Sequence, residues 1–350
     1  MSKRKNEISI INVLFCLIVV LIHLISKPIS SLSMETALYK PYTALWRASS
    51  FVVQGFIFLS GVKTFLGNRR EGYIKFISKR IKTIIIPYVV AVFIYYLYFV
   101  YIVKYFPFSI KEFSRYLVRG DIAAQFYFVV IIVQFYLLYP LWCRILDKVK
   151  PFYAIVGAVV INAVFGMYLL FIVNALTGFD AFHSYDKFFT TYIMYWVGGM
   201  YVGKYYDKFI GFIKKCGIWI CVLAFVAGLA DAALFLLMRY GYVRPLHLDT
   251  VHSLYCSLMI MAVYFIAYKV KDKTNIIISS LDKASYYIYL VHVLFIFVLD
   301  NVMEYFGLVI ASTTLSFVLR SIIIYVCCIV FSLMYSYVIK VSTVKQPLSR

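Results

Sequence analysis

The segment ISIINVLFCLIVVLIHLIS, residues 8–26, contains no Asp, Glu, Lys or Arg. An α-helix rises about 1.5 Å per residue, so about 20 apolar residues cross a hydrocarbon layer about 30 Å thick. The lipid interior offers no water to backbone N–H and C=O groups, and an apolar segment of this length must therefore close its own hydrogen bonds as a helix. Residues 8–26 are predicted to form a transmembrane helix.

Similar apolar segments recur along the whole chain. Hydrophobic residues make up 64% of it, charged residues only 14%, and the mean hydropathy is +0.88, whereas a soluble domain carries about a quarter charged residues. We predict an all-α fold, a polytopic membrane helical bundle of about ten transmembrane helices in a single domain over residues 1–350. The predicted spans are residues 8–26, 43–66, 81–103, 123–142, 152–173, 187–203, 216–238, 250–268, 284–304 and 309–339.

The 35 Lys and Arg residues are distributed along the chain as in a membrane protein and not as on a nucleic-acid-binding surface. Most of them lie in the two tails and in four loops, which are residues 67–80, 143–151, 204–215 and 269–283. Because Lys and Arg concentrate on the cytoplasmic side of membrane proteins, both termini are predicted to be cytoplasmic. Membrane lipid is thus an expected partner and nucleic acid is not. The seven cysteines show no metal-ligand spacing, so no metal is expected.

A few ionisable side chains fall inside the predicted spans. Each costs about 2.5–3.5 kcal/mol near the bilayer centre, so such residues usually face an interior cavity. Counting along the helices places most of them at one outer level, which suggests a single polar chamber, although they could instead snorkel to the interface or pair structurally. An imidazole there could remove a proton from a hydroxyl. The residues are His23, Arg47, Asp231, His252, His292, Asp300 and Arg320.

Six segments carry a family resemblance when they are taken together and in order. They are VVLIHL at 19–24, GFIFLSG at 55–61, KRIKTIIIPY at 79–88, FYFVVIIVQFYLLYPL at 126–141, YIMYWVGGMYVGKYY at 192–206 and SYYIYLVH at 285–292. In these segments the chain resembles the membrane acyltransferase 3 family. Within that family it is most similar to the branch of intercellular-adhesion polysaccharide export and O-succinyltransferase proteins.

The resemblance implies a membrane-bound enzyme of the bacterial cytoplasmic membrane. It would move an acetyl or succinyl group from acyl-coenzyme A, its donor substrate, to a hydroxyl of a cell-surface polysaccharide or lipid-linked glycan. O-acetylation of an exopolysaccharide is one such reaction. His23 stands where the family has its catalytic histidine.

The remaining candidates follow from the same resemblance and from the polar chamber. Arg80 and Lys82 are predicted to attract the phosphates of the donor, although they could instead only anchor the helix on the cytoplasmic side. Asn12 occupies the place of an arginine that the family uses toward the donor, so the pattern departs from the family there. The chamber or acceptor candidates are Arg47, His252, His292, Asp300, Arg320 and Ser60.

A second function class remains open on the sequence alone. A polysaccharide export or flipping protein would have the same spans and could use its 33 Tyr and 31 Phe residues to stack on sugars. Aromatic belts at the membrane interface explain these residues equally well. Acyl content of the polymer separates the two functions, because only the enzyme changes it.

Overall fold

The structure is a computed structural model that describes residues 5–68, 70–165, 176, 187–242, 248–273 and 275–344. All regular secondary structure in these ranges is helical, as the composition predicts. The chain divides into two compact units. Unit 1 comprises Met1–Val52 and Ala262–Arg350, and unit 2 comprises Val53–Met261. The prediction of a single domain over residues 1–350 stays a prediction.

Unit 1 is built from α1 (Asn6–Ser31), α2 (Tyr39–Ser49), α13 (Ile276–Tyr305) and α14 (Thr313–Val344). Helix α12 (Leu248–Val270) begins in unit 2 and ends in unit 1. Unit 2 contains the helices that follow α2 in the described ranges. They are α3 (Val52–Phe65), α4 (Tyr73–Arg80), α5 (Ile86–Leu97), α6 (Ile110–Arg119), α7 (Tyr127–Leu137), α8 (Tyr139–Lys148), α9 (Pro151–Ala163), α10 (Ile193–Lys204) and α11 (Tyr206–Arg239).

Seven helical segments in the described ranges are long and apolar enough to cross a membrane. An eighth results if the bent pair Ile110–Arg119 and Ala124–Leu137, which turns by 54°, is one span. Two further predicted spans are represented by the shorter helices α9 and α10, and the end of the predicted span 152–173 lies outside the described residues. The seven segments are Asn6–Ser31, Tyr39–Asn68, Tyr73–Ile102, Tyr206–Arg239, Asp249–Val270, Ile276–Tyr305 and Thr313–Val338.

In unit 1, α1 and α13 run side by side in the same direction. Asn12, near the start of α1, bonds to Ser285, and Lys27, near its end, pairs with Asp300. Helix α14 returns antiparallel to α13, because the Arg320 guanidinium bonds to Asp300 and the Tyr335 ring lies against the earlier Tyr287. Helix α13 is therefore packed on both sides.

In unit 2, α3 and α10 approach until their backbones touch. A Cβ atom built on Gly199 would overlap the carbonyl oxygen of Phe58, and one built on Gly61 would lie 2.7 Å from that of Trp196. Gly203 repeats this approach one turn further along α10, 2.7 Å from the carbonyl of Val62. Small residues at membrane-helix interfaces allow such contacts. Gly61 of GFIFLSG and Gly199 and Gly203 of WVGGMYVGK therefore serve helix packing.

Replacing Gly199 by Ala is expected to unfold or strongly destabilise the protein, because the new methyl group would overlap backbone that cannot move aside. Overpacking of this kind costs about 1–3 kcal/mol or more. The matched control is Gly157→Ala on α9, where nothing lies within 4 Å of the added atom. Thermal unfolding in detergent measures both variants. Equal midpoints for the two would contradict this account of the interface.

Candidate functional site

The centre of the α1–α13 contact is a pair of histidines. The ring of His23 on α1 lies beside that of His292 on α13, with centroids 5.1 Å apart and planes inclined by 52°. His292 is fully buried. The sequence placed both residues at membrane depth, and the structure brings these two together.

The hydrogen bonds of His292 fix which ring nitrogen carries the proton. Its Nδ1 lies 2.9 Å from the carbonyl oxygen of Tyr289 and 3.1 Å from that of Ile288. Carbonyl oxygens only accept, so a neutral imidazole here carries its hydrogen on Nδ1. Its Nε2 is then an acceptor, and it is buried without a hydrogen-bond partner. An unpaired acceptor inside a membrane protein is costly, which makes this atom a candidate for contact with a ligand.

On the C-terminal side of the histidine pair, the same seam holds three charges. Asp300 accepts from Arg320 at 2.8 Å and pairs with Lys27 at 3.0 Å. Arg320 is only 3% exposed, so the carboxylate compensates a buried cation. The structure thus unites the predicted candidates Asp300 and Arg320 with each other and with Lys27. The sequence had not singled out Lys27, although it follows His23 by one helical turn.

On the N-terminal side, the seam is closed by neutral and acidic groups. The Asn12 side-chain amide donates to the carboxylate of Asp282 at 2.8 Å and to the hydroxyl of Ser285 at 2.6 Å. Ser285 is the first residue of the SYYIYLVH motif and His292 is the last, so both ends of that motif contact α1. This pairing gives Asn12 a helix-packing role, and its predicted donor-binding role stays a prediction.

Three further residues were predicted as chamber candidates. His252 on α12 binds the buried carboxylate of Asp231 on α11, with Nδ1 2.9 Å from Oδ2, and both belong to unit 2. Arg47 is buried on α2 in unit 1. Ser60 is half-buried on α3, next to the close-packed Gly61. The prediction that these side chains share one chamber with His23 stays a prediction.

A basic pocket of about 200 Å³ lies in unit 2 where α3 and α4 meet the start of α8. Arg80 lies over two aromatic rings, with its guanidinium carbon 4.9 Å from the centre of Phe76 and 4.6 Å from that of Tyr136. The Nε of Arg80 and the hydroxyl of Thr64, both in the lining, are buried without a hydrogen-bond partner. The same lining contains Lys63 and an ion pair between Lys79 and Glu71, in which Nζ lies 3.4 Å from Oε1. Such a pocket is suited to an anionic ligand.

Lys82, the other residue predicted to attract the donor, is exposed and does not line the basic pocket. Lys82 lies in a π-helical turn, Ile81–Ile85, that leads into α5, whose early Pro87 has no N–H to donate. The sequence had missed Phe76, Tyr136 and Thr64, because aromatic and small polar residues occur throughout the chain.

An ion pair outside the spans adjoins this region. The Arg70 guanidinium binds Asp147 and donates to the carbonyl of Cys143 at 3.2 Å. This cation lowers the pKa of the Asp147 carboxyl below its ordinary value. The carboxylate and the guanidinium therefore both stay charged at neutral pH. They join the segment after α3 to the end of α8.

The described residues thus contain a histidine pair between two membrane helices and, in unit 2, a pocket lined by basic and aromatic side chains. The family model of the acyltransferase 3 family, an acyltransferase domain, matches residues 6–339, so the chain belongs to that family. No curated protein and no solved structure matches the chain. The protein is thus a multi-pass membrane acyltransferase that transfers groups other than aminoacyl groups.

Proposed function

We propose that the protein is an O-acyltransferase of the bacterial cytoplasmic membrane. It moves an acetyl or succinyl group from acyl-coenzyme A to a hydroxyl of a cell-surface polysaccharide or lipid-linked glycan. The observation that carries the proposal is the histidine pair, in which the buried Nε2 of His292 has no hydrogen-bond partner beside the ring of His23. Acyl transfer to a hydroxyl needs a group that accepts a proton, because the hydroxyl must lose its proton as it attacks, and a neutral histidine is such a group.

In this mechanism His23 is the general base. It accepts the proton of the acceptor hydroxyl while the oxygen attacks the thioester carbon, and the tetrahedral intermediate then collapses with cleavage of the C–S bond. The proton passes from His23 to the departing thiolate, so the enzyme returns to its starting state. His292 is a positioning residue. Its free Nε2 offers an acceptor to an N–H of His23, which would leave the other nitrogen of His23 basic.

The basic pocket supports the donor half of the proposal. Coenzyme A carries phosphates, and a guanidinium held over two aromatic rings is a fixed phosphate ligand. The buried Nε of Arg80 and hydroxyl of Thr64 are two donors that a phosphate oxygen would satisfy. Lys82 has neither contact and adds only general attraction from its exposed position.

Arg80→Gln is expected to weaken binding of acetyl-coenzyme A by about 10- to 100-fold, since a hydrogen bond to a charged group contributes about 1.5–3 kcal/mol. Lys82→Gln removes the same charge two residues later and should weaken binding by less than about fivefold. Isothermal titration calorimetry in nanodiscs measures both affinities. If the two variants lose affinity equally, the pocket is not the donor site and both residues act as topology anchors.

His23→Ala is expected to lower the rate of esterification by about 10²–10⁴-fold, the usual contribution of a general base. His292→Ala should give an intermediate loss, and His292→Gln should recover part of it, because its side-chain oxygen can accept a hydrogen bond near the position of Nε2. Proton NMR of the purified polymer gives ester content per sugar. Membrane insertion and polymer amount are the controls.

The alternative function, polysaccharide export, predicts the opposite results for ester content and surface polymer in the same strains. If the wild-type polymer carries no O-acyl ester and accumulates inside cells when the gene is deleted, the protein exports polysaccharide. In that case His23→Ala would leave both the amount and the composition of surface polymer unchanged.

We further propose about ten spans with both termini in the cytoplasm. Helices α1 and α13 are parallel, so an odd number of spans must lie between them. Four of the seven long apolar segments lie there, and residues 103–205 must therefore supply an odd number more. The bent pair together with segments containing α9 and α10 would supply three. Antiparallel α14 then returns the C-terminus to the side of the N-terminus.

This topology predicts opposite labelling of two exposed positions on a Cys-free background. Lys150→Cys, between α8 and α9, should resist a membrane-impermeant maleimide in intact cells, because it lies in a basic cytoplasmic loop. Tyr105→Cys, after α5, should react, and both should react in permeabilised cells. Strong labelling of position 150 from outside would overturn the orientation.

A further inference from the structure

Helix α6 in unit 2 lies alongside the membrane-spanning segment that contains α5. The Tyr96 hydroxyl donates to the carbonyl of Ser109, the residue before α6, at 2.8 Å and accepts from its N–H at 2.7 Å. The Tyr88 hydroxyl, earlier in α5, donates to the carbonyl of Leu117, late in α6, at 2.8 Å. The two helices are therefore antiparallel over about 12 Å, and tyrosine hydroxyls fix α6 near both of its ends.

One face of α6 packs against aromatic residues of α5. The ring of Phe113 lies edge-on to that of Phe93, with centroids 5.7 Å apart, and to that of Tyr96, with centroids 5.5 Å apart. Leu117 follows Phe113 by one helical turn and shares this face. Both residues are half-buried. The contact with α5 thus uses one side of α6 and leaves its other sides for different partners.

A second side of α6 carries a cationic stripe formed by Lys111, Arg115 and Arg119. These three exposed residues recur at intervals of four, so they share one face of the helix over about 12 Å. Glu112 pairs with Arg115 at 2.6 Å. Among the residues that the structure describes, Lys111 and Arg119 take part in no ion pair, and the nearby carboxylate of Asp121 joins neither of them. The cationic stripe therefore keeps an excess of positive charge.

An apolar flank formed by Ile110, Ser114 and Val118 separates the cationic stripe from the face that contacts α5. Ile110 is 67% exposed and Val118 is 74% exposed. The Ser114 hydroxyl between them donates to the carbonyl of Ile110 at 2.8 Å, so its hydrogen is satisfied within the helix. In a helix beside a membrane span, an exposed apolar surface of this kind faces hydrocarbon chains.

Cations next to an apolar, lipid-facing surface match one kind of molecule. A cation beside hydrocarbon is costly unless it reaches the headgroups or pairs with an anion. An anionic phospholipid offers a phosphate and acyl chains in one molecule, whereas a soluble anion would match the cationic stripe and not the apolar flank. Phosphatidylcholine matches less well, because its choline group cancels the charge of the phosphate.

We propose that α6 binds an anionic phospholipid of the surrounding bilayer. The phosphate lies against the cationic stripe, and the acyl chains lie along the apolar flank. Lys111 and Arg119 contribute most of the attraction, because Arg115 already pairs with Glu112. The protein thereby enriches anionic lipid beside unit 2. Neither this binding nor its test depends on acyl transfer.

The test measures local lipid enrichment by fluorescence quenching on a Cys-free background. Ser114→Cys carries a bimane fluorophore on the apolar flank of the full chain in phosphatidylcholine nanodiscs. The nanodiscs contain the same small fraction of either brominated phosphatidylglycerol or brominated phosphatidylcholine. The anionic lipid should quench about fivefold more effectively, since one Lys or Arg beside anionic headgroups contributes about that factor.

Charge variants and a second labelling position provide the controls. Lys111→Gln combined with Arg119→Gln should abolish the preference for phosphatidylglycerol. Lys104→Gln removes an exposed cation before α6, outside the cationic stripe, and should keep most of the preference. Val226→Cys on α11 is a lipid-facing position, 56% exposed, with no Lys or Arg within ten residues, and both brominated lipids should quench it equally.

Three results would each overturn the lipid site. The first is equal quenching of position 114 by the two lipids, and the second is an undiminished preference in the folded double variant. The third is binding of alginate, a soluble acidic polysaccharide, in phosphatidylcholine nanodiscs without any preference for phosphatidylglycerol. Thermal unfolding in phosphatidylcholine checks the fold. Should the double variant fail to fold, the single variants Lys111→Gln and Arg119→Gln must each reduce the preference more than Lys104→Gln does.

Discussion

The structure depends on the constraint that a polar group removed from water inside a bilayer must find its partner within the protein. The seam between α1 and α13 shows how this is done. Asn12 is held by Asp282 and Ser285, and Asp300 is held by Arg320 and Lys27. Between these two groups, the buried Nε2 of His292 has no hydrogen-bond partner, and the Nε of Arg320 has none either. The polar contacts on either side of the histidine pair hold the two helices together.

Unit 2 meets the same constraint with backbone contact. The α3–α10 interface has almost no space for side chains at Gly61 and Gly199, so its helices fit in one register. The basic pocket of this unit includes Thr64 from α3, and a second cavity, of about 440 Å³, is lined in part by Gln54 from α3 and Tyr195 from α10. A fixed register therefore sets the geometry of these walls.

The sequence could predict the helical membrane fold because hydrophobicity and length decide it at every span. It could also single out His23 and His292, since polar residues are rare in such segments. It could not predict which of them touch. Counting residues gives the depth of a side chain and not the side of the helix from which it projects. Depth alone therefore allowed His252 either to face a chamber or to pair structurally, and the structure shows a pair between His252 and Asp231. The two rings that hold Arg80 were hidden among 33 Tyr and 31 Phe residues.

The replacement of the family's arginine by Asn12 fits this division of roles. An arginine there would meet the carboxylate of Asp282, whereas the asparagine amide makes hydrogen bonds to Asp282 and Ser285 and keeps the helix contact without the positive charge. In the proposed function, the attraction for the anionic donor comes from other cations. The basic pocket offers Arg80, Lys63 and Lys79, of which Lys79 pairs with Glu71, and two buried donor groups there have no hydrogen-bond partner. Donor binding in this chain is thus expected to depend more heavily on Arg80 than it does in relatives that keep the arginine.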